Sequence, residues 1–261
     1  MKTSIHALYE GTFSVAIDKV FRPMDRNGKP DKNALRIAIN AFLVKSKQRN
    51  FLVDTGLGEF GKGTSIDTLL DHLADHDVAP EDISDIFLSH LHFDHLGGLA
   101  HRKNGFWQLT FPYAKIWLSK RELDKVLAQK VFYDEEKTEF MWFLHAHAEF
   151  FFYEENHKPY PEFEIIEIGG HTEFSVAIIY SDDDCKFIMA GDVLPTKGHV
   201  NQKFAAKYDF DPKQSLISRQ MLAKKAFEEQ RTFLAYHSSE SPLFRLTSYE
   251  ITQGYTIENV M

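Results

Sequence analysis

Three histidines and one aspartate fall close together near the middle of the chain, at His90, His92, Asp94 and His95. Imidazole nitrogen and carboxylate oxygen are the usual protein ligands of zinc and similar divalent ions. In an extended chain, residues two apart point to the same side, so His90 and His92 can converge on one point while Asp94 and His95 serve a second. A surface histidine tract or core histidines with backbone partners would be the alternative. Ligand type and spacing favour a metal site.

A strand must present this cluster, and the apolar run Asp85–Leu88 directly before it is typical of a buried strand. Loops at strand ends commonly carry functional side chains, so the ends of the other predicted strands can be searched for ligands. Three ligand-type residues each follow a predicted strand directly: His171, Asp192 and His237. A single strand-end aspartate after glycine is more often a turn or a helix cap. Coming in this order after the cluster, the three together indicate the rest of a metal site.

The order of these motifs resembles the metallo-β-lactamase superfamily of metallohydrolases: His-x-His-x-Asp-His, then Gly-His-Thr, then Gly-Asp, then a late strand-end His. The segment Phe51–Gly56 is similar to that superfamily's first motif. The resemblance extends roughly from Arg36 to Ser238. It implies an α/β fold, an αββα sandwich of two mixed β-sheets flanked by helices, with a dinuclear metal centre at one edge.

The resemblance also implies a role for each candidate residue. The first metal would be held by His90, His92 and His171, and the second by Asp94, His95 and His237, with Asp192 bridging the two and Asp54 orienting ligands from behind.

Two divalent ions, expected to be Zn²⁺, would lower the pKa of water towards neutrality and provide a bridging hydroxide as the nucleophile. The same nitrogen and oxygen ligands also accept Mn²⁺ or Fe²⁺. With two carboxylates and one hydroxide, the centre would stay near one positive charge by simple addition and favour a developing oxyanion. Asp94 is the predicted catalytic residue, which would orient the hydroxide or take its proton.

The ligand set narrows the resemblance within the superfamily. No cysteine stands at a ligand position, and the run from Gly191 to Pro212 is similar to the group of quorum-quenching lactonases and methyl parathion hydrolase. Acyl-homoserine lactonases of that group carry a tyrosine three residues after the bridging aspartate, where this chain has Pro195. Tyr208 or His199 could take over the contact with the substrate carbonyl; as loop residues, both could also be without such a role.

An aromatic-rich stretch at about 131–160 is predicted to be an insertion in a single domain that spans residues 1–261. Trp142 and Phe143 are its candidates for a substrate pocket. Three roles stay open for the stretch and can coincide: an apolar wall over the metals, a homodimer contact, or plain core.

Composition limits the partners. A net charge of −8 argues against general nucleic-acid binding, because no basic stripe offsets phosphate charge. We expect neither a membrane span nor a signal peptide, since no apolar run is long enough for a span and Met1–His6 opens without an apolar core. Cys185 is the only cysteine, so a reducing cytoplasm is the simplest location.

Together these features predict a cytoplasmic, dinuclear metal-dependent hydrolase of a small apolar ester or lactone, with an acyl-homoserine lactone as the leading substrate. The alternative is a phosphodiester or organophosphate hydrolase, which the same centre could support.

Overall fold

The computed structural model describes residues 2–128 and 134–260, in which fifteen strands and five α-helices are formed. The strands, in chain order, are β1 (Ser4–Val15), β2 (Phe21–Met24), β3 (Leu35–Lys45), β4 (Asn50–Val53), β5 (Ile83–Phe87), β6 (Ala100–Lys103), β7 (Phe106–Leu109), β8 (Lys115–Leu118), β9 (Phe150–Phe152), β10 (Phe163–Glu167), β11 (Val176–Ser181), β12 (Lys186–Met189), β13 (Thr232–Leu234), β14 (Leu243–Glu250) and β15 (Gly254–Asn259). The helices are α1 (Asp67–Asp75), α2 (Phe93–Leu96), α3 (Lys120–Ala128), α4 (Glu135–His147) and α5 (Pro212–Glu228). Within these two ranges, no helix combines the length and apolar character needed to cross a membrane.

Two mixed sheets contain most of the strands. The first has the order β2-β1-β3-β4-β5-β8-β9, and the second has the order β10-β11-β12-β13-β14-β15. The pairs β4–β5, β5–β8, β8–β9 and β12–β13 are parallel, and the other pairs are antiparallel. β6 and β7 form a separate two-stranded hairpin.

Three apolar clusters separate four layers. In β4 the side chains alternate: Phe51 and Val53 join the cluster between the two sheets, whereas Leu52 joins the cluster that also contains Leu69 of α1 and Phe140 of α4. A third cluster packs the outer face of the second sheet against α5. Because strands buried on both faces need apolar residues at every position, they appear in the sequence as continuous apolar runs. The predicted αββα sandwich of mixed sheets flanked by helices is confirmed.

The range 131–160 contains both a helix and a strand. Val131, Phe132 and Tyr133 lie outside the described residues. The helix is α4, and the strand is β9, which extends the first sheet next to β8. The ring of Phe140 is buried and meets the rings of Phe60, Phe93 and Trp107. Part of the stretch is therefore core.

Candidate metal centre

Five strands bring their C-terminal ends to one edge of the sandwich. β4 and β5 run parallel, so Asp54 and His90 leave the first sheet on the same side. In the second sheet β12 and β13 run parallel, and β10 has the same direction because two antiparallel pairings separate it from β12. His171, Asp192 and His237 therefore leave that sheet at one edge. Sheet direction alone gathers the ligand candidates that are far apart in sequence.

The loop after β5 is held against the loop after β4 by a close backbone approach. A Cβ atom on Gly98 would lie 2.1 Å from the carbonyl oxygen of Thr55, and one on Gly97 would lie 2.2 Å from that of Leu57. The amide and the hydroxyl of Thr55 donate to the carbonyl oxygen of His95, at 2.7 and 3.0 Å. The two glycines thus allow α2, which carries Asp94 and His95, to be seated against the first sheet.

One group of donor atoms consists of His90, His92 and His171. The Nδ1 atom of His92 lies 3.0 Å from Nε2 of His90 and 3.1 Å from Nε2 of His171. His90 and His171 are buried, whereas His92 is exposed and marks the side on which the group opens to solvent. Three imidazole nitrogens at this spacing could hold one divalent ion.

A second group consists of Asp94, His95 and His237. The Oδ2 atom of Asp94 lies 3.6 Å from Nε2 of His237 and 3.9 Å from Nε2 of His95. Asp192 stands between the two groups: one carboxylate oxygen lies 3.1 Å from His237 Nε2 and 3.4 Å from His171 Nε2, and the other lies 3.5 Å from His95 Nε2. Asp192 therefore reaches both groups and could serve two ions at once.

The outer ring nitrogens decide which atoms face the centre. The Nδ1–H of His95 donates to Asp54 at 2.8 Å, that of His171 faces Asp209 at 2.9 Å, and that of His237 donates to the backbone carbonyl oxygen of Ala38 at 2.8 Å. Since the proton of each ring is used on this outer side, each Nε2 atom presents a lone pair inward.

Two of the inner atoms have no hydrogen-bond partner in the described part of the chain. They are His95 Nε2 and Asp192 Oδ1, and both are buried. Buried polar atoms of this kind are rare unless something else satisfies them. Converging lone pairs, a shared carboxylate and two unsatisfied buried atoms fit a pair of divalent cations.

The charges and the burial of the site also shift the pKa values of its histidines. Burial lowers the pKa of His90 well below its usual value, and the neighbouring His95 and His92 lower it further, so this ring stays neutral and able to bind a cation. Burial would also lower the pKa of His95, but the carboxylates of Asp192 and Asp54 outweigh it and raise that pKa. When no cation is bound, the carboxylates therefore favour a proton on His95, a ring that would otherwise bind an ion.

Asp54 has a strained backbone conformation, and both of its carboxylate oxygens accept hydrogen bonds. Its backbone has φ +54, and its side chain is fully buried. Oδ1 accepts from the amide of Ser89 at 2.8 Å, while Oδ2 accepts from the hydroxyl of Ser89 at 2.8 Å and from His95. Asp54 therefore contacts the ring of His95 from the side away from the other donor atoms.

Two neighbours of the ligand candidates were missed by the sequence reasoning. Asp209 faces His171, and the hydroxyl of Tyr236 donates to the carbonyl oxygen of Asp94 at 2.6 Å. Asp209 lies in the segment from Gly191 to Pro212 on which the subfamily resemblance rests. The sequence analysis assigned no role to Asp209 itself. Tyr236 looked like an ordinary strand residue before His237. Burial raises the pKa of its phenol well above the usual value, so the hydroxyl keeps its proton.

A third neighbour, Glu10, carries a carboxyl group whose pKa is raised above its usual value. Its carboxylate accepts from the amide of Leu57 at 2.7 Å, in the loop that follows β4. Burial raises the pKa of Glu10 to about 8, although the backbone hydrogen bonds from Leu57 and Gly58 act to lower it. The sequence offered no sign of this group, because its burial depends on the packing of β1 against that loop.

The predicted pocket residues lie in two places. The Tyr208 ring is 68% exposed, with its centroid 6.2 Å from that of His171. His199 lies in the loop after Asp192, where its Nδ1 meets the hydroxyl of Thr196 at 2.8 Å. Phe143 packs partly against the cluster beside α4, and Trp142 is half exposed with its ring against His145. Tyr208 is thus a pocket candidate whose ring contacts a ligand candidate.

The sequence pattern of the metallo-beta-lactamase superfamily matches residues 35–234 of this chain. The matched range includes strands β3 to β13 and the loops that carry Asp54, the cluster from His90 to His95, His171 and Asp192. It covers well over half of the chain. The chain therefore belongs to the metallo-beta-lactamase superfamily, a class of metal-dependent hydrolases.

Individual relatives are more distant. A probable metallo-hydrolase of Methanocaldococcus jannaschii is 25% identical over 152 residues, which cover 58% of this chain and a little over half, 57%, of that relative. The structure of AidC, a dizinc quorum-quenching lactonase in complex with the product N-hexanoyl-L-homoserine, is similar with a TM-score of 0.73 at 23% identity, covering 99% of this chain and 95% of AidC. The hydrolase AbOPH gives a TM-score of 0.74 at 21% identity, covering 100% and 95%. At this identity the two structures share the fold with this chain.

Proposed function

We propose that this protein is a dinuclear metal-dependent hydrolase of a small apolar ester or lactone, with an acyl-homoserine lactone as the leading substrate. The observation that carries the proposal is the position of Asp192, whose carboxylate lies within 3.5 Å of ring nitrogens from both donor groups. Two ions that share one carboxylate form the kind of centre that stabilises both the attacking and the leaving oxygen.

The residues have separate tasks in this proposal. His90, His92 and His171 would hold one ion; Asp94, His95 and His237 would hold the other; and Asp192 would bridge them. Two bound Zn²⁺, Mn²⁺ or Fe²⁺ ions would supply hydroxide at neutral pH and attract the oxyanion of the tetrahedral intermediate. Asp94, whose side chain is 12% exposed, would hold the proton of the attacking water and pass it to the leaving oxygen.

The surroundings of the donor groups support an apolar substrate. Three aromatic rings in the segment that precedes α5 are more than half exposed: Phe204, Tyr208 and Phe210. The amide of Phe210 donates to the carbonyl oxygen of His171 at 3.1 Å, so this aromatic loop is fixed to the first donor group. Exposed aromatic rings at an open site suit an acyl chain, and the hydroxyl of Tyr208 could contact a substrate carbonyl. The AidC complex supports the choice of an acyl-homoserine lactone.

A phosphodiester or organophosphate is the second candidate, and Pro195 favours it. The backbone carbonyl oxygen of Pro195 accepts from the amide of His237 at 2.9 Å, and proline offers no hydroxyl to a substrate carbonyl. A phosphoester depends less on such a donor, because two ions can hold its oxyanion directly.

Hydrolysis assays on zinc-loaded and manganese-loaded protein separate the candidates. We expect N-hexanoyl-homoserine lactone to be cleaved faster than a nitrophenyl phosphodiester, and chelation to abolish both reactions. Asp94→Asn should lower kcat by about a hundredfold or more, whereas Asp183→Asn in an exposed distant loop should leave it unchanged. Faster turnover of the phosphodiester would select the second candidate, and full activity after chelation would refute both.

The wider organisation is part of the same proposal. We propose one domain across the chain, a cytoplasmic location consistent with its single cysteine, and a small-molecule substrate in place of nucleic acid or membrane. A homodimer through the exposed aromatic residues would be detected by light scattering of the purified protein.

A further inference from the structure

Tyr236 touches the second donor group at more than one point. Its ring stacks on the ring of His95, with centroids 4.0 Å apart and planes 20° apart. Its hydroxyl donates to the carbonyl oxygen of Asp94 at 2.6 Å. It also directly precedes His237 in the chain, and the two rings lie 5.1 Å apart. One side chain thus contacts all three members of the group formed by Asp94, His95 and His237.

The Tyr236 side chain is itself held in place. Its ring is fully buried in the cluster between the sheets and lies 6.5 Å from that of Phe42. Its hydroxyl also accepts from the amide of Gly56 at 3.0 Å, in the loop after β4. A phenol that donates to one loop and accepts from another has a fixed orientation, because both of its hydrogen-bonding directions are used.

We propose that Tyr236 is a positioning residue for the second metal ion, which fixes Asp94, His95 and His237 relative to one another. The inference rests on the dinuclear centre of the proposed function and is independent of the substrate. In this proposal Tyr236 does not touch the reacting atoms. It acts by holding the three ligand candidates in position.

The first donor group is oriented by different residues. Ser89 meets Nδ1 of His90 at 3.1 Å, and Asp209 meets Nδ1 of His171 at 2.9 Å. Neither contact involves Tyr236. Loss of its hydroxyl should therefore weaken one ion and spare the other, an asymmetry that general loss of stability would not produce.

Tyr236→Phe tests the proposal, because it keeps the buried ring and the stack on His95 while it removes both hydrogen bonds. Tyr180→Phe is the matched control: Tyr180 lies in the same cluster, and its hydroxyl donates to Asp182 at 2.7 Å, on the strand end away from the ligand candidates. The affinity of each ion is measured by competition of Zn²⁺ between the protein and a chromophoric chelator. Co²⁺-loaded protein provides a second readout through its visible spectrum.

We expect the second ion to bind about tenfold to a hundredfold more weakly in Tyr236→Phe, with the first ion and the Tyr180→Phe control unchanged. Hydrolysis should return at saturating Zn²⁺. Tyr236→Leu, which also removes the stack on His95, should weaken the second ion further and provides a test if Tyr236→Phe is unstable. If Tyr236→Phe and Tyr236→Leu bind both ions as tightly as the natural protein does, or if both ions are weakened equally, the role of Tyr236 is refuted and the proposed function is unaffected. A natural protein that binds fewer than two ions would overturn the proposed function together with this role.

Discussion

Replacement of Asp54 by asparagine tests how the buried carboxylate controls the second donor group. The side chains have nearly the same shape, and asparagine tolerates the positive φ of this position better than most residues. Oδ1 can still accept from the amide of Ser89. An NH₂ group, however, replaces the Oδ2 atom that accepts from the hydroxyl of Ser89 and from Nδ1 of His95, each at 2.8 Å. The substitution therefore removes two acceptor contacts with little change in volume.

The magnitude follows from these two contacts. A hydrogen bond to a charged group contributes about 1.5–3 kcal/mol, so the free energy of unfolding should fall by about 3–6 kcal/mol at most. His95 also loses the group that keeps its proton on Nδ1, and the tautomer with a lone pair on Nε2 is no longer favoured. Loss of such an orienting partner weakens metal binding about tenfold to a hundredfold, which is about 1.4–2.7 kcal/mol.

Chelator competition and denaturant unfolding measure the two effects separately. Asp85→Asn is the matched control, because Asp85 is equally buried, lies on β5, and accepts from Trp117 Nε1 at 3.0 Å and from the hydroxyl of Tyr160 at 2.8 Å. The control should lose stability without losing an ion. Unchanged affinity for the second ion in Asp54→Asn, or the same loss in both variants, would refute the orienting role of Asp54.

Three further predictions concern the neighbours of the site. Since burial raises the pKa of Glu10 from 4.5 to about 8, the folded chain holds a proton between these values that the unfolded chain has released. Stability should therefore fall by a few kcal/mol as pH rises from about 5 to about 9, and Glu10→Gln should flatten this dependence in denaturant unfolding. Asp209→Asn should weaken the first ion about tenfold to a hundredfold in chelator competition, because His171 loses its outer partner. Gly98→Ala should destabilise the fold by about 3 kcal/mol or more in denaturant unfolding, because its Cβ would meet the backbone oxygen of Thr55.

Each of these has a control or a contrary result. A pH dependence that persists in Glu10→Gln would assign it to other groups. Asp211→Asn, at the exposed cap of α5, should leave both ions unaffected. An equal loss there would contradict the role of Asp209. Gly198→Ala meets only a side-chain oxygen at 3.6 Å and should cost far less than Gly98→Ala, so equal costs would contradict the close-approach argument.

Much of the fold could be predicted from local pattern. The strands β5, β10, β12 and β13 end shortly before the ligand candidates, where the sequence analysis predicted strands. The C-terminal hairpin of β14 and β15 was not predicted, since β15 has no fully buried residue and its sequence lacks a strong apolar pattern. An exposed strand is stabilised by hydrogen bonds to a neighbouring strand, and this pairing is a property of the tertiary structure.

The sequence by itself determined the donor atoms: the cluster from His90 to His95 has a ligand type and spacing that few other roles explain, and His171, Asp192 and His237 follow strand ends in a recognisable order. Only the tertiary structure decided what surrounds them. Tyr236 stacks on His95, Asp209 faces His171, and Glu10 is half-buried against Leu57, although each pair is separated by many residues in the chain. Ligand identity is a local chemical property and is visible in the sequence. Ligand orientation and proton affinity depend on burial and on partners from other strands, and those exist only once the two sheets have packed.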